Sequence, residues 1–88
     1  MNIFDDIIKN SEQREFVNDV VSLLANKNEI TMSYKGKQFV VDPHGNSIEV
    51  YSEGRIIACY PDAVDFLMNH RINGQKIIEL YFEIYYSI

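Results

Sequence analysis

Cysteine, proline and tryptophan are scarce in this sequence of 88 residues, which has one cysteine, two prolines and no tryptophan. A single thiol, Cys59, cannot form an intrachain disulfide, so the cross-linked framework of many small secreted domains is excluded. Long apolar runs are also missing. Because a membrane-spanning helix needs about 20 apolar residues in succession, the sequence predicts no such helix. The first residues include acidic side chains and lack the basic stretch that precedes the apolar segment of a secretory signal. We therefore expect no secretory signal and a cytoplasmic location.

Basic residues are few, with 8 Lys and Arg against 13 Asp and Glu, and the net charge is -5. They are scattered along the sequence and form no run that would bind a phosphate backbone. We therefore expect no direct binding to nucleic acid. The sequence is also rich in Ile, Asn and Lys and poor in Ala, Pro and Arg, a bias that is typical of AT-rich coding sequences and indicates a bacterial or phage source.

The residue types that usually carry chemistry are isolated from one another. His44 lies in a predicted turn and His70 at a predicted helix end, so we expect both at the surface, and neither has a ligand or a general base at a recognisable spacing. Cys59 lies in a predicted strand, where a free cysteine usually packs as a small apolar residue. The four glycines are separate and form no phosphate-binding motif. The sequence therefore predicts no catalytic residue, no metal site and no cofactor.

The beginning of the chain predicts helix. Apolar residues at helical spacing within residues 3–8 indicate a short helix. Ser11 can cap a second helix, whose apolar stripe runs from Phe16 to Leu24. This helix is expected to end at the polar segment that starts with Asn26. The polar residues between the two pieces are compatible with one kinked helix or with two helices.

Residues 30–60 predict an antiparallel meander of three or four strands, because alternating apolar and polar runs are separated by turn residues. If Lys35 and Gly36 form a two-residue turn, and if Asp42 pairs with Ser47, one face collects the apolar side chains of the first three strands. These predicted inner residues are Ile30, Met32, Tyr34, Phe39, Val41, Ile48 and Val50.

The fourth strand can take either of two registers. A two-residue turn at Glu53 and Gly54 points Ile57 and Cys59 inward. A three-residue turn that also includes Ser52 exchanges the inward and outward faces of the strand. We favour the longer turn, because the shorter one places Glu53 at a positive φ, at a cost of about 1 kcal/mol. The residues that the longer turn points inward are Ile56, Ala58 and Tyr60.

The sequence after residue 60 predicts two more helices, packed on one face of the sheet. Pro61 and Asp62 fit the start of the first. Asn73 can cap the second, which we expect over residues 74–86. Since nearly the whole circumference of this last helix is apolar, we expect it to be buried on more than one side.

Apolar side chains exceed what so small a core can bury. The excess lies on the outer face of the sheet, with Val40 and Tyr51, and on the last predicted helix. Either these two surfaces pack on each other within one chain, or they contact a partner, since Tyr and Phe are enriched at interface cores. The candidate interface residues are Tyr51, Tyr81, Phe82, Tyr85 and Tyr86.

Together these patterns predict one α+β domain over residues 1–88. It has an N-terminal helix or pair of helices, an antiparallel meander of three or four strands, and two C-terminal helices packed on one sheet face. The predicted function is that of a non-catalytic protein–protein interaction module, whose partner is a second copy of the chain or another protein.

In its layout (short, acidic, with a helix, a meander and then two helices) the chain resembles some small phage anti-CRISPR proteins. This resemblance implies an alternative function, that of an acidic inhibitor that presents carboxylates in place of phosphates to a nucleic-acid-binding enzyme. The two functions predict different surfaces. A mimic needs one continuous acidic face, whereas an interaction module should have an apolar patch with a charged rim.

Overall fold

The computed structural model describes residues 6–88, which form an α+β fold with two α-helices and a five-stranded antiparallel sheet. In chain order the elements are α1 (Ser11–Ala25), β1 (Ile30–Tyr34), β2 (Lys37–His44), β3 (Ser47–Ser52), β4 (Arg55–Tyr60), α2 (Ala63–Asn69), β5 (Arg71–Ile72), β6 (Gln75–Lys76), a 3₁₀ helix (Ile77–Leu80) and β7 (Ile84–Ser87). The strand order in the five-stranded sheet is β4-β3-β2-β1-β7. Neither α-helix has the length and apolar character that crossing a membrane requires.

Helix α1 confirms the predicted N-terminal helix, with one correction at its start. The N-cap is Asn10 and not Ser11, because the Asn10 side chain accepts a hydrogen bond from the backbone N–H of Gln13 at 2.9 Å. The short first helix predicted at residues 3–8 lies largely outside the described residues, and its described part, 6–8, is not α-helical. The buried stripe of α1 includes the apolar residues Phe16, Val17, Val20 and Leu24.

The predicted meander is confirmed and has four strands. Strands β1 and β2 pair as expected around the turn at Lys35 and Gly36, with Met32 opposite Phe39. Both turn residues have a positive φ, as a two-residue hairpin of this type requires.

The pairing of β2 with β3 differs from the prediction. Ser47 lies opposite His44 and not opposite Asp42, because the turn consists only of Gly45 and Asn46. The error is a shift of two residues along the strand, and an even shift leaves every side chain on its own face. The predicted inner residues of the first three strands are all buried for this reason.

The turn before β4 also differs from the prediction. Ser52 pairs with Arg55, so the turn has two residues, Glu53 and Gly54, with φ values of 53° and 79°. The ladder between β3 and β4 then contains a β-bulge, which gives β4 one extra residue, Ile57. An extra residue exchanges the two faces of the strand beyond it.

The bulge decides which way the residues of β4 point. Ala58 lies opposite Val50 and faces inward, as predicted. Ile56, in contrast, lies opposite Tyr51 and faces outward, where 54% of its surface is exposed. The prediction that Ile56 points inward is therefore wrong.

The chain after β4 confirms one predicted helix and replaces the other. Asp62 caps α2 by accepting a hydrogen bond from the backbone N–H of Asp65 at 2.8 Å. The helix expected over residues 74–86 is wrong, since Asn73 and Gly74 form the turn of a β5–β6 hairpin. The 3₁₀ helix and strand β7 follow, so α2 lies mid-chain and the two predicted C-terminal helices are not both present.

The core lies between the helical layer and one face of the sheet, which we call the inner face. Both α-helices and the 3₁₀ helix supply buried apolar residues to it. Gln13, which is 3% exposed, joins two parts of this layer by donating from Nε2 to the backbone oxygen of Ile78 at 3.0 Å. The opposite face of the sheet, the outer face, carries neither α-helix.

Candidate functional site

The outer face of the sheet carries two exposed large side chains, Ile56 and Tyr85, together with the half-buried Val40 and Tyr51. Its residues alternate with the buried residues of the inner face along each strand. They are Tyr85 and Ser87 on β7, Thr31 and Ser33 on β1, Gln38, Val40, Asp42 and His44 on β2, Ser47, Glu49 and Tyr51 on β3, and Ile56 and Cys59 on β4.

An apolar row crosses the middle of the outer face. Val40 pairs with Tyr51, and Tyr51 pairs with Ile56, so three adjacent strands place apolar side chains side by side. Thr31 continues the row on β1. A solvated sheet face normally carries polar residues at such positions, so this row is unusual for a face that water covers.

An acidic row runs beside the apolar one. Asp42 lies directly opposite Glu49, and Glu49 lies opposite Cys59. The Tyr51 hydroxyl donates a hydrogen bond to Oε1 of Glu49 at 2.9 Å and thereby links the two rows. Because this hydrogen bond to a carboxylate stabilises the protonated hydroxyl, the pKa of Tyr51 is raised above its usual value.

His44 lies close to two carboxylates in the structure, a proximity that the sequence analysis did not predict. It lies two residues after Asp42 on β2 and so shares a face with it. Ligand atoms of Asp42, His44 and Glu49 all lie within 4.8 Å of one another. The two-residue spacing was visible in the sequence, but the predicted pairing of β2 with β3 placed Glu49 opposite Val40, too far along the strand to join them.

Two of the five predicted interface residues lie on the outer face, and a third is exposed elsewhere. Tyr51 lies half-buried in the apolar row, and Tyr85 projects from the β7 end of the outer face with 81% of its surface exposed. Phe82 is 68% exposed but lies in the turn before β7, against Tyr81. The structure therefore brings Tyr51 and Tyr85 to one face and leaves Phe82 separate from it.

The other two predicted interface residues are held by the helical layer. The Tyr81 hydroxyl accepts a hydrogen bond from the side chain of Asn10 at 2.6 Å. Tyr86 packs edge-on against Phe16 and donates to the carboxylate of Asp19 at 2.7 Å. Burial, followed by this hydrogen bond, raises the pKa of Tyr86 to about 12. Both side chains therefore make contacts within the chain.

His70 lies on the other side of the sheet from His44. It is 9% exposed, stacks on Phe66, and its Nδ1 is hydrogen bonded to the Tyr60 hydroxyl at 2.8 Å. Burial lowers the pKa of its imidazole. The expectation that His70 is a surface residue is wrong, because α2 ends here against the inner face of the sheet.

The chain matches none of the protein-family models, curated proteins or solved structures with which we compared it. The fold therefore defines a class only in broad terms, that of a small α+β protein with an antiparallel sheet. Function has to be inferred from the outer face and its side chains, since a fold alone does not specify an activity.

Proposed function

We propose that this chain is a non-catalytic protein–protein interaction module that binds through the outer face of its sheet, and that its partner is a second copy of the chain. The observation that carries the proposal is the row formed by Val40, Tyr51 and Ile56. Apolar side chains on three adjacent strands, bordered by the carboxylates of Asp42 and Glu49 on one side and by Gln38 on the other, have the arrangement of an interface core with a polar rim.

The large side chains of the outer face also suit association in chemical terms. Tyr51 and Tyr85 are large side chains with few rotatable bonds, so ordering them on binding costs little entropy. Ile56 is more than half exposed, and covering it removes apolar surface from water. Two copies related by a twofold axis would present the same residues to each other, as most homodimers do.

The distribution of acid supports this function over nucleic-acid mimicry. On the outer face the carboxylates Asp42 and Glu49 occupy one row, while the neighbouring row is apolar. A mimic would need carboxylates on both rows to follow a phosphate backbone. An acidic flank beside an apolar strip corresponds instead to the rim of a protein interface.

Analytical ultracentrifugation over a range of concentrations tests the proposal. The chain of 10.3 kDa should convert from monomer to dimer as its concentration rises. Tyr85→Ala should weaken the dimer by about 2 kcal/mol, which corresponds to a roughly thirtyfold higher dissociation constant. Ile56→Thr keeps a β-branched side chain on β4 but removes apolar surface, so it should also weaken the dimer.

Phe82→Ala is the matched control, since it removes an exposed aromatic side chain that lies outside the outer face. It should leave the dissociation constant unchanged, and thermal unfolding should show that all three variants remain folded. A wild-type chain that stays monomeric at high concentration would contradict self-association. A dimer weakened by Phe82→Ala and not by Tyr85→Ala would move the interface away from the outer face.

A further inference from the structure

We infer that Asp42, His44 and Glu49 form a binding site for a divalent transition-metal ion of the Zn²⁺ type. One imidazole and two carboxylates are a ligand set that zinc accepts, with bonds of about 2.0 to 2.2 Å. The ligand atoms lie within 4.8 Å of one another. Since bound ligand atoms stand roughly 3 to 4 Å apart at those bond lengths, small side-chain rotations complete the site.

The charges around the site favour a cation. Asp42 and Glu49 are directly opposite each other on β2 and β3, and like charges in such a pair repel. In the described part of the chain neither carboxylate forms an ion pair with Lys or Arg. Glu29 lines the same cleft as Asp42 and adds a third negative charge. A divalent ion would neutralise the facing pair.

The strands hold the donors in place. Asp42 and His44 occupy alternate positions on β2, and the backbone ladder fixes Glu49 beside them on β3. The Tyr51 hydroxyl donates to Oε1 of Glu49, which orients this carboxylate and leaves its second oxygen for a metal ion. An oriented carboxylate of this kind is typical of the partners that surround metal ligands. This inference does not depend on self-association of the outer face.

Isothermal titration of the wild-type chain with ZnCl₂ at neutral pH tests the site. One ion should bind per chain. His44→Ala and Glu49→Gln should each weaken binding about tenfold or more, because each removes one ligand. Glu12→Gln removes an exposed acidic charge from α1, on the other side of the sheet, and should leave the affinity unchanged. Circular dichroism should confirm that each variant is folded.

A second readout locates the ion directly. The chain has two histidines, so the imidazole signals in an NMR spectrum are easily assigned. Zinc should shift the His44 signals and leave those of His70 in place, since His70 lies on the inner side of the sheet with Nδ1 engaged by Tyr60.

Three results would overturn the inference. The first is a wild-type chain that takes up no zinc at millimolar concentration. The second is His44→Ala binding zinc as tightly as the wild type, which would indicate loose attraction to acidic groups. The third is a loss of binding in Cys59→Ser with retention in His44→Ala, which would assign the ion to the thiol.

Discussion

His70 shows how one buried side chain can make the stability of the fold depend on pH. Its imidazole stacks on Phe66 with ring centroids 5.6 Å apart and meets Tyr60 edge-on. Charging this ring would place a cation among aromatic groups with little water, which is why burial lowers its pKa. In the unfolded chain the same group has an ordinary pKa of about 6.5.

We therefore predict that the free energy of unfolding falls as the pH is lowered from 7 towards 5. The folded pKa of His70 lies below the unfolded one, so in this window the unfolded chain binds the proton more readily and gains stability from it. Chemical denaturation at several pH values measures the slope. His70→Gln should flatten the profile. An unchanged slope in His70→Gln would assign the dependence to other groups.

At the scale of elements, three of the hairpins are closed by two residues that both have a positive φ. Lys35, Glu53 and Asn73 each precede a glycine in such a turn, with φ values of 49°, 53° and 52°. Asparagine tolerates this conformation, while lysine and glutamate are strained in it. Two of the three turns therefore hold a residue that is not the most favourable for its position.

Glu53→Asn should raise the free energy of unfolding by about 0.5 to 1 kcal/mol, because asparagine adopts the left-handed conformation more easily. Glu53→Gln removes the same charge and keeps the strained backbone, so it should change stability little. Urea denaturation of both variants separates conformation from charge. Equal stabilisation by the two substitutions would mean that the charge, and not the turn, is responsible.

The turns also explain how much of the sheet could be predicted from the sequence. The inner faces of the first three strands were predicted correctly despite a wrong pairing of β2 with β3, since the error was even. Pro43 suggested a turn, yet it lies within β2, beyond the last pair that β2 forms with β1. For β4 the turn was wrong, and the bulge restored the predicted direction of Ala58 but not of Ile56.

The last segment could not be predicted from periodicity. An apolar circumference suits a helix buried on all sides, and it equally suits a buried 3₁₀ helix followed by a strand. The deciding signals were local: Asn73 and Gly74 are typical of a hairpin turn, and aromatic and β-branched residues after Glu83 are typical of a strand. At the candidate site, Tyr51 and Tyr85 were predicted from aromatic excess, while the group around His44 depends on strand pairing that the sequence does not specify.

The whole molecule joins residues near both ends of the described chain. Strand β7 pairs with β1, and Tyr86 reaches α1 through Phe16 and Asp19. The inner face of the sheet is covered by the helices, whereas the outer face has carboxylates beside apolar side chains. With a net charge of -5, two copies repel each other as they approach.

Added NaCl should therefore strengthen the proposed dimer. Screening shortens the range of repulsion to about 3 Å at 1 M salt, from about 10 Å at 0.1 M, and the dissociation constant should fall about threefold or more. Sedimentation at several salt concentrations measures this change. Tyr85→Ala has the same charge, so its dimer should be weaker throughout with the same dependence on salt. A dimer that salt weakens would indicate attraction between opposite charges instead.

The extra residue in β4 also affects the size that an assembly of this protein can reach. Strand β4 lies at one edge of the sheet. A bulge bends its strand and increases the local twist, so the backbone groups along this edge do not align with a straight neighbouring strand. Copies added edge to edge could continue without limit into a fibril, whereas the proposed dimer, joined across the outer faces, is closed by its twofold symmetry. The irregularity at Ile57 therefore favours complexes of fixed size over open-ended polymers.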